Sequence, residues 1–388
     1  MIKEITTTAE LEKFCHHLKD EKWITVDTEF IREKTYYPEL CLIQVASATQ
    51  EALIDPLTEG IKLSAFWQIL ANKNIVKVLH AASQDLEIFY HESDQEIHNI
   101  FDTQIAAQAL GYGESIGYDR LVETICNVKL DKTSRHTDWR LRPLSDKQKT
   151  YAIYDVTYLR EIYTEMQNRL SELNRFEWII EEMDKQYPPA RFQRNPYDAY
   201  LRIKIRKPRR NNLVILQELA AWRDDEAFRK NIPRQYIMRD DALIDIAMLQ
   251  PRDIKSLSRI RSVSEKEANS NRGKLILSLI ETALNRPQET WPKVKKIPNL
   301  SEETKITIEL LKTLLRVVAE NNQLTPRLIA DNEDIYKLAT QKENAKVDCL
   351  KGWRNEIYGQ KALMLMGGKI GLALNKGKIQ FVPVSFIN

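Results

Sequence analysis

Three short stretches of the chain put acidic and phenolic side chains where they could act together. In Val26-Asp27-Thr28-Glu29-Phe30 the preceding run, Trp23-Ile24-Thr25-Val26, is aromatic and β-branched, as suits a strand. Strand side chains alternate with period two, so Asp27 and Glu29 share one face and Thr28 takes the other. Two hard oxygen donors on one face begin a site for Mg²⁺ or Mn²⁺. Alone, such a pair is more often a solvated strand end, so the reading depends on further carboxylates arriving nearby. One candidate is Asp85: in His80-Ala81-Ala82-Ser83-Gln84-Asp85 the serine is the expected N-cap, which puts Asp85 in a helix's first turn. The other is Asp155, four residues after Tyr151. The box-like Ser145-Asp146-Lys147-Gln148 opens a helix expected to run to about Leu170, so a phenol lies one turn from a carboxylate.

The elements that must position these groups alternate. Leu11 to Leu18 reads as a helix and Trp23 to Val26 as a strand. Leu40–Ala46 and Glu51–Asp55 read as an antiparallel meander, Leu63–Leu70 as a helix and Ile75–Leu79 as another strand. That order predicts a mixed sheet flanked by helices. With 388 residues, 43% hydrophobic and 29% charged, the chain is globular and long enough for two or three domains. No apolar run approaches the roughly 18 residues of a membrane span. The start, Met1-Ile2-Lys3-Glu4-Ile5, lacks the apolar stretch of a secretory signal, and the four cysteines are scattered. A cytoplasmic protein with reduced thiols and no zinc site is expected.

Net charge is +3, but it divides unevenly. Residues 1–190 carry 21 basic against 32 acidic side chains (−11), and the remainder 37 against 23 (+14). An acidic half suits metal ions and a basic half suits a polyanion.

V-D-T-E-F at 26–30, H-A-A-S-Q-D at 80–85 and Y-A-I-Y-D at 151–155 resemble the three exonuclease motifs of the DEDD superfamily, tyrosine subclass. F-I-R-E-K-T-Y-Y-P-E-L-C-L-I-Q at 30–44 and T-D-W-R-L-R-P-L-S at 137–145 narrow the resemblance to the ribonuclease D family. The one departure noticed is His136, where a second basic residue often follows Arg135. The resemblance implies an α/β ribonuclease H-like fold, with Asp27, Glu29, Asp85 and Asp155 as ligands to two Mg²⁺ or Mn²⁺ and Tyr151 beside the attacking water. It also implies removal of single nucleotides from an RNA 3′ end, releasing 5′-monophosphates, with tRNA precursors as substrates. Around that centre Phe30 is a candidate for stacking on a terminal base, and Arg32, Gln44 and His80 for reaching phosphate or sugar. Arg135, Arg140 and Arg142 near Trp139 form a basic and aromatic patch suited to single strands, with Asp131 and Asp138 as possible internal partners.

After residue 190 strand signals give way to helical ones. Residues 191–210 read as a basic linker with six basic residues between 202 and 210. Helical patterns then occupy 211–292 and 298–375, followed by a tail, 376–388. Pro233-Arg234 before Asp240-Asp241-Ala242-Leu243 is echoed 93 residues later by Pro326-Arg327 before Asn332-Glu333-Asp334-Ile335. Two all-α domains resembling the HRDC module follow, the second weaker and marked by Gly352-Trp353-Arg354. A monomer acting on RNA, with no membrane association, is expected. A DNA exonuclease of the same superfamily and a non-catalytic RNA-binding scaffold are the alternatives, because the ligands alone do not distinguish ribose from deoxyribose.

Overall fold

A nine-residue strand, β2 (Trp23–Ile31), carries the first carboxylate pair into the centre of a six-stranded sheet. The computed structural model describes residues 2–294 and 300–384. Its other sheet strands are β1 (Glu4–Ile5), β3 (Glu39–Ala46), β4 (Glu51–Ile54), β5 (Val76–Leu79) and β6 (Ile100–Asp102), in the order β1-β4-β3-β2-β5-β6. β3 and β4 form the expected antiparallel meander, whereas β1 pairs parallel with β4, and β5 parallel with both β2 and β6. The sheet is therefore mixed, as the strand and helix order predicts.

Parallel pairing decides where the chemistry can be. β2 and β5 are in register from Trp23↔Val76 to Thr25↔Val78, so Asp27 and Glu29 lie past the paired stretch. β5 leads through a short turn into a helix at Ser83–Ser93, and this brings a helix start alongside the carboxylates.

Seven helices belong with this sheet: α1 (Thr8–Leu18), α2 (Ser64–Ala71), α3 (Ser83–Ser93), α4 (Thr103–Ala109), α5 (Tyr118–Cys126), α6 (Asp146–Glu172) and α7 (Phe176–Gln186). The capping box at Ser145 and Gln148 is formed, and α6 buries Ala152, Val156, Leu159, Tyr163 and Met166 at helical spacing. Asp155 falls on that buried stripe. Thr25 Oγ1 donates to the Val156 carbonyl at 2.9 Å, which fixes α6 on β2. Ser83 does not serve as the N-cap of α3: Ala82 holds that position and caps nothing with its side chain. The Asp102 carboxylate accepts the nearby backbone N–H groups instead.

The compact units do not follow the linear order of the chain. One comprises residues 2–29, 40–191 and 300–384; the other comprises 30–39 and 192–294. The second holds α8 (Arg210–Lys230), α9 (Arg234–Ile237), α10 (Asp240–Leu249), α11 (Ile254–Leu257), α12 (Glu265–Ala268) and α13 (Asn271–Asn285) around Leu216, Leu219, Leu243, Ile246 and Ile276. Within it, segment 30–39 is held by Tyr36, whose hydroxyl donates to Asp224, 2.9 Å away. Arg194 and Arg234 flank that buried carboxylate at 2.9 and 2.5 Å. Residues 196–202, inside the expected linker, form a short 3₁₀ helix. All six basic residues between 202 and 210 are exposed.

The block after residue 300 is all-α only in part. It contains α14 (Glu302–Asn321), α15 (Pro326–Ile329), α16 (Asn332–Gln341), α17 (Gly352–Arg354) and α18 (Gln360–Met366), then an antiparallel hairpin of β7 (Ile370–Asn375) and β8 (Lys378–Pro383). The sequence pattern predicts no strand there, and the boundary placed between 375 and 376 falls in the hairpin turn. The left-handed φ values of Lys376 (49°) and Gly377 (79°) close that turn. The start of the expected 298–375 block and the end of the 376–388 tail lie partly outside the described residues. The block packs in the same unit as the sheet. Trp353 stacks on Trp178 at 4.2 Å, Arg354 meets Glu181 and Glu182, and Thr325 N donates to the Gln108 carbonyl at 3.0 Å. No described helix is long and apolar enough to cross a membrane.

Gly273 opens α13 against the end of α12, where an added Cβ would come within 2.0 Å of the Ala268 carbonyl oxygen. Gly273→Ala should therefore destabilise the second unit by about 1–3 kcal/mol despite the better helix propensity of alanine. Urea unfolding followed by Trp222 and Trp291 fluorescence checks this, and an unchanged midpoint would count against so close an approach.

Candidate active site

Asp27, Glu29 and Asp155, three of the four ligands that the resemblance implies, come together. Each offers a carboxylate oxygen, and these three oxygens lie within 4.8 Å of one another, a group able to hold a metal ion. Period-two alternation on β2 supplies the first two and the buried stripe of α6 supplies the third. Asp85 arrives in the first turn of α3 and is buried, but it stands outside this trio. Its carboxylate instead accepts a hydrogen bond from Thr28 Oγ1. Thr28, expected to face away, reaches Asp85 because α3 begins beside the stretch of β2 that β5 leaves unpaired.

The electrostatics are those of a site built for cations. Burial is the largest cause pushing each of the four acids upward: Asp85 to about 7, Asp155 to about 8, Glu29 to about 9, and Asp27 well above the usual range. Repulsion from Asp85, Asp155 and Glu29 adds to the burial of Asp27. Arg135 offsets part of this, lowering Glu29 and Asp155. Clustered, half-desolvated carboxylates with little cationic compensation are the donor set that a divalent ion requires, so the residues fit such an ion.

Tyr151, one turn before Asp155, hydrogen-bonds to its carboxylate. Burial, then the charges of Asp155, Glu29 and Asp27, hold the phenol above its ordinary range. It is therefore a proton-bearing donor at neutral pH. A cavity of about 280 Å³ is lined by Asp27, Tyr151 and Asp155 together with His80, Tyr118, Lys132 and Arg135.

The expected substrate contacts divide. Arg135 is exposed and lines the cavity. His80 also lines it, but its ring nitrogens face Thr103 Oγ1 at 3.0 Å and the Ile116 carbonyl at 3.1 Å, and burial lowers its basicity. The basic and aromatic patch is not available as such. Trp139 is 2% exposed, its ring 6.0 Å from Tyr151, so it supports the phenol from within the core. Arg140 closes a two-bond pair on Asp138, two residues away, at 2.9 and 2.8 Å. Arg142 is engaged by Asp55 and by the Cys41 and Trp139 carbonyls. Gln44 is fully buried, its amide without a hydrogen-bond partner, and so is not placed to meet a strand at the surface. Phe30 and Arg32 belong to the second unit, the first half-buried and the second exposed.

Sequence reading missed Tyr118 and Lys132. Tyr118 packs its ring 5.6 Å from His80 and donates to the Tyr154 carbonyl at 2.9 Å, and nothing local in the sequence marks it. Lys132 pairs with Asp119 at 2.5 Å within the cavity lining. The three-residue spacing of Lys129, Lys132 and Arg135 was the available signal.

Residues 2–171 match the family described as 3′-5′ exonuclease, and residues 212–280 match the HRDC domain. The chain is 41% identical over 381 residues to the ribonuclease D of Bartonella henselae, covering 98% of this chain and 93% of that relative. It is also 41% identical over 375 residues to the ribonuclease D of Nitrobacter hamburgensis, covering 97% and 98%. Among solved structures, Escherichia coli RNase D, described as an exoribonuclease involved in structured RNA processing, matches with a TM-score of 0.80 at 30% identity, covering 94% of this chain and 99% of that one.

The raised acidities set a pH dependence. Below the ordinary carboxylate range these acids are protonated in folded and unfolded chains alike, and their contribution to stability is fully present. As pH rises the unfolded chain ionises first, while the folded site keeps its protons until about 7 at Asp85, 8 at Asp155 and 9 at Glu29. Stability is therefore lost across this interval, by at most about 1.4 kcal/mol per pH unit for each group. Thermal midpoints of the metal-free protein should fall toward high pH more steeply than those of Asp155→Asn, and Mn²⁺ should reverse the fall. A wild-type curve parallel to the variant's would contradict the charge assignment.

Proposed function

Because the chain belongs to the ribonuclease D family, 3′-5′ exoribonucleases of the DEDD superfamily, we propose that it shortens tRNA precursors from their 3′ ends, one nucleotide at a time, with two Mg²⁺ or Mn²⁺ ions. The observation that carries this reading is the meeting of Asp27, Glu29 and Asp155 within 4.8 Å, with Tyr151 hydrogen-bonded to the last of them. Asp27, Glu29 and Asp155 would hold one cation, and Asp27 with Asp85 the other. When bound, the two ions supply a nucleophile near neutral pH and a place for charge on the departing oxygen.

The chain's own groups have separate tasks. Asp27, Glu29, Asp85 and Asp155 neutralise and orient the cations. Tyr151, held protonated and donating to Asp155, would orient the attacking water through its phenol oxygen and is not itself the base. Arg135, on the cavity wall, suits a phosphate of the strand. The exposed basic run at 202–210 suits the RNA backbone.

The domain division goes with this reading: catalysis in 1–190, a basic linker at 191–210 and RNA-binding helices in 211–292. The later block is a divergent copy of those helices. Its support is a shared order: helices of 21, 4 and 10 residues in α8–α10 are followed, in the later block, by helices of 20, 4 and 10 in α14–α16. The protein acts as a monomer in the cytoplasm.

End-labelled RNA with a single-stranded 3′ tail, and DNA of the same sequence, test the proposal with Mg²⁺, Mn²⁺ or EDTA. The expected result is a metal-dependent ladder of one-nucleotide steps on RNA and little on DNA. Asp27→Ala, Asp85→Ala and Asp155→Ala should each reduce cleavage to background while the protein stays folded. Tyr151→Phe should lower turnover about a hundredfold or more with RNA affinity retained. Equal cleavage of the DNA would favour a DNA exonuclease, and binding without a ladder would favour a scaffold.

A further inference from the structure

The turn between β5 and α3 delivers Asp85, and it is held from a distance. Ala81 sits at φ 57°, in the left-handed region that a residue with a Cβ seldom adopts, so neighbouring contacts must impose the conformation. Those contacts converge on Asp102, at the end of β6. Its Oδ1 accepts from Ala81 N at 3.0 Å and its Oδ2 from Ala82 N at 2.9 Å. Asp102 also caps α4 through Gln104 N at 2.7 Å. The fourth donor is the Tyr187 hydroxyl, 2.5 Å from Oδ2 and just beyond the end of α7. Arg191 adds to the same grip, donating to Ser83 Oγ at 3.0 Å with its guanidinium 5.6 Å from the Tyr187 ring centre.

Capping α4 accounts for one of these four bonds. The other three serve the 81–83 turn or brace the carboxylate that holds it. Asp102 is 1% exposed, so its two oxygens are fixed by their donors alone, with no solvent to take over from a lost one. Removing the Tyr187 hydroxyl frees the oxygen that also binds Ala82 N, at the start of the helix whose first turn carries Asp85.

We propose that Tyr187, acting through Asp102, is a positioning residue that sets where Asp85 stands relative to Asp27 and thereby tunes divalent-cation binding. The inference rests on the reading of Asp85 as a metal ligand. It makes the end of α7, 102 residues along the chain from Asp85, part of the support of the metal site.

Four full-length proteins test it: wild type, Tyr187→Phe, Asp85→Ala and Tyr90→Phe. The last removes a phenol bonded to the Ile97 carbonyl at 3.3 Å, on α3 but away from the turn, and so matches the structural loss alone. Mn²⁺ binding is read from the free-ion resonance signal, and kcat and KM on a short RNA are measured as functions of Mn²⁺. Tyr187→Phe should bind its weaker Mn²⁺ about tenfold less tightly. Its kcat should be low at limiting Mn²⁺ and recover at saturation, with KM for RNA within about twofold of wild type, whereas Tyr90→Phe should follow wild type. A wild-type Mn²⁺ isotherm for Tyr187→Phe, or the same loss in Tyr90→Phe, would overturn the inference while leaving Asp85 a ligand. Unchanged Mn²⁺ stoichiometry in Asp85→Ala would remove the reading of Asp85, and this inference with it.

Discussion

Four carboxylates drawn into a poorly solvated space repel one another, and the catalytic unit is organised around tolerating that repulsion. Three separate stretches of backbone bring the acids, Asp27 and Glu29 together on one of them, and each stretch is firm enough to hold its own. β2 is flanked by strands on both sides, α6 is pinned by Thr25, and α3 starts from a turn fastened to Asp102. In the absence of cations the acids keep protons or borrow donors, as Asp85 does from Thr28. A scaffold that relaxed under this repulsion would relieve the charge but lose the geometry.

The same constraint explains the surroundings. Trp139 fills the space behind Tyr151 and is closed off from solvent, so the phenol has little freedom to turn away from Asp155. Arg135 stands where it softens the negative potential without entering the trio. Other arginines of the segment are occupied in holding the loop: Arg142 ties it to β3 and to Asp55, and Arg140 ties it to itself. Of its three arginines the loop thus presents Arg135 and retains the other two as structure.

How much of this the sequence discloses depends on the distance over which each interaction acts. Asp27 with Glu29, and Tyr151 with Asp155, follow from the local periods of strand and helix. Asp85 follows from its place in a helix start, though the acceptor expected there, Ser83, is not the one used. Residue type alone cannot tell a free arginine from a paired one, and for this reason Arg140 and Arg142 read as a binding patch. Tyr187 and Asp102 are 85 residues apart, and no local pattern joins them. The terminal hairpin escaped notice because two short strands give little alternation to read, although the Lys376-Gly377 turn was there to be seen.

Segment 30–39 begins in the last two residues of β2, directly after Glu29, and lodges Tyr36 against Asp224, more than 180 residues further on, before the chain returns to the sheet. The helical unit is therefore stitched into the catalytic one at two separate places in the sequence. Genetic exchange by a single crossover could not trade one helical unit for another. Any recombinant inheriting a foreign 192–294 would have to inherit its matching 30–39 as well, so the two segments should diversify as one heritable unit.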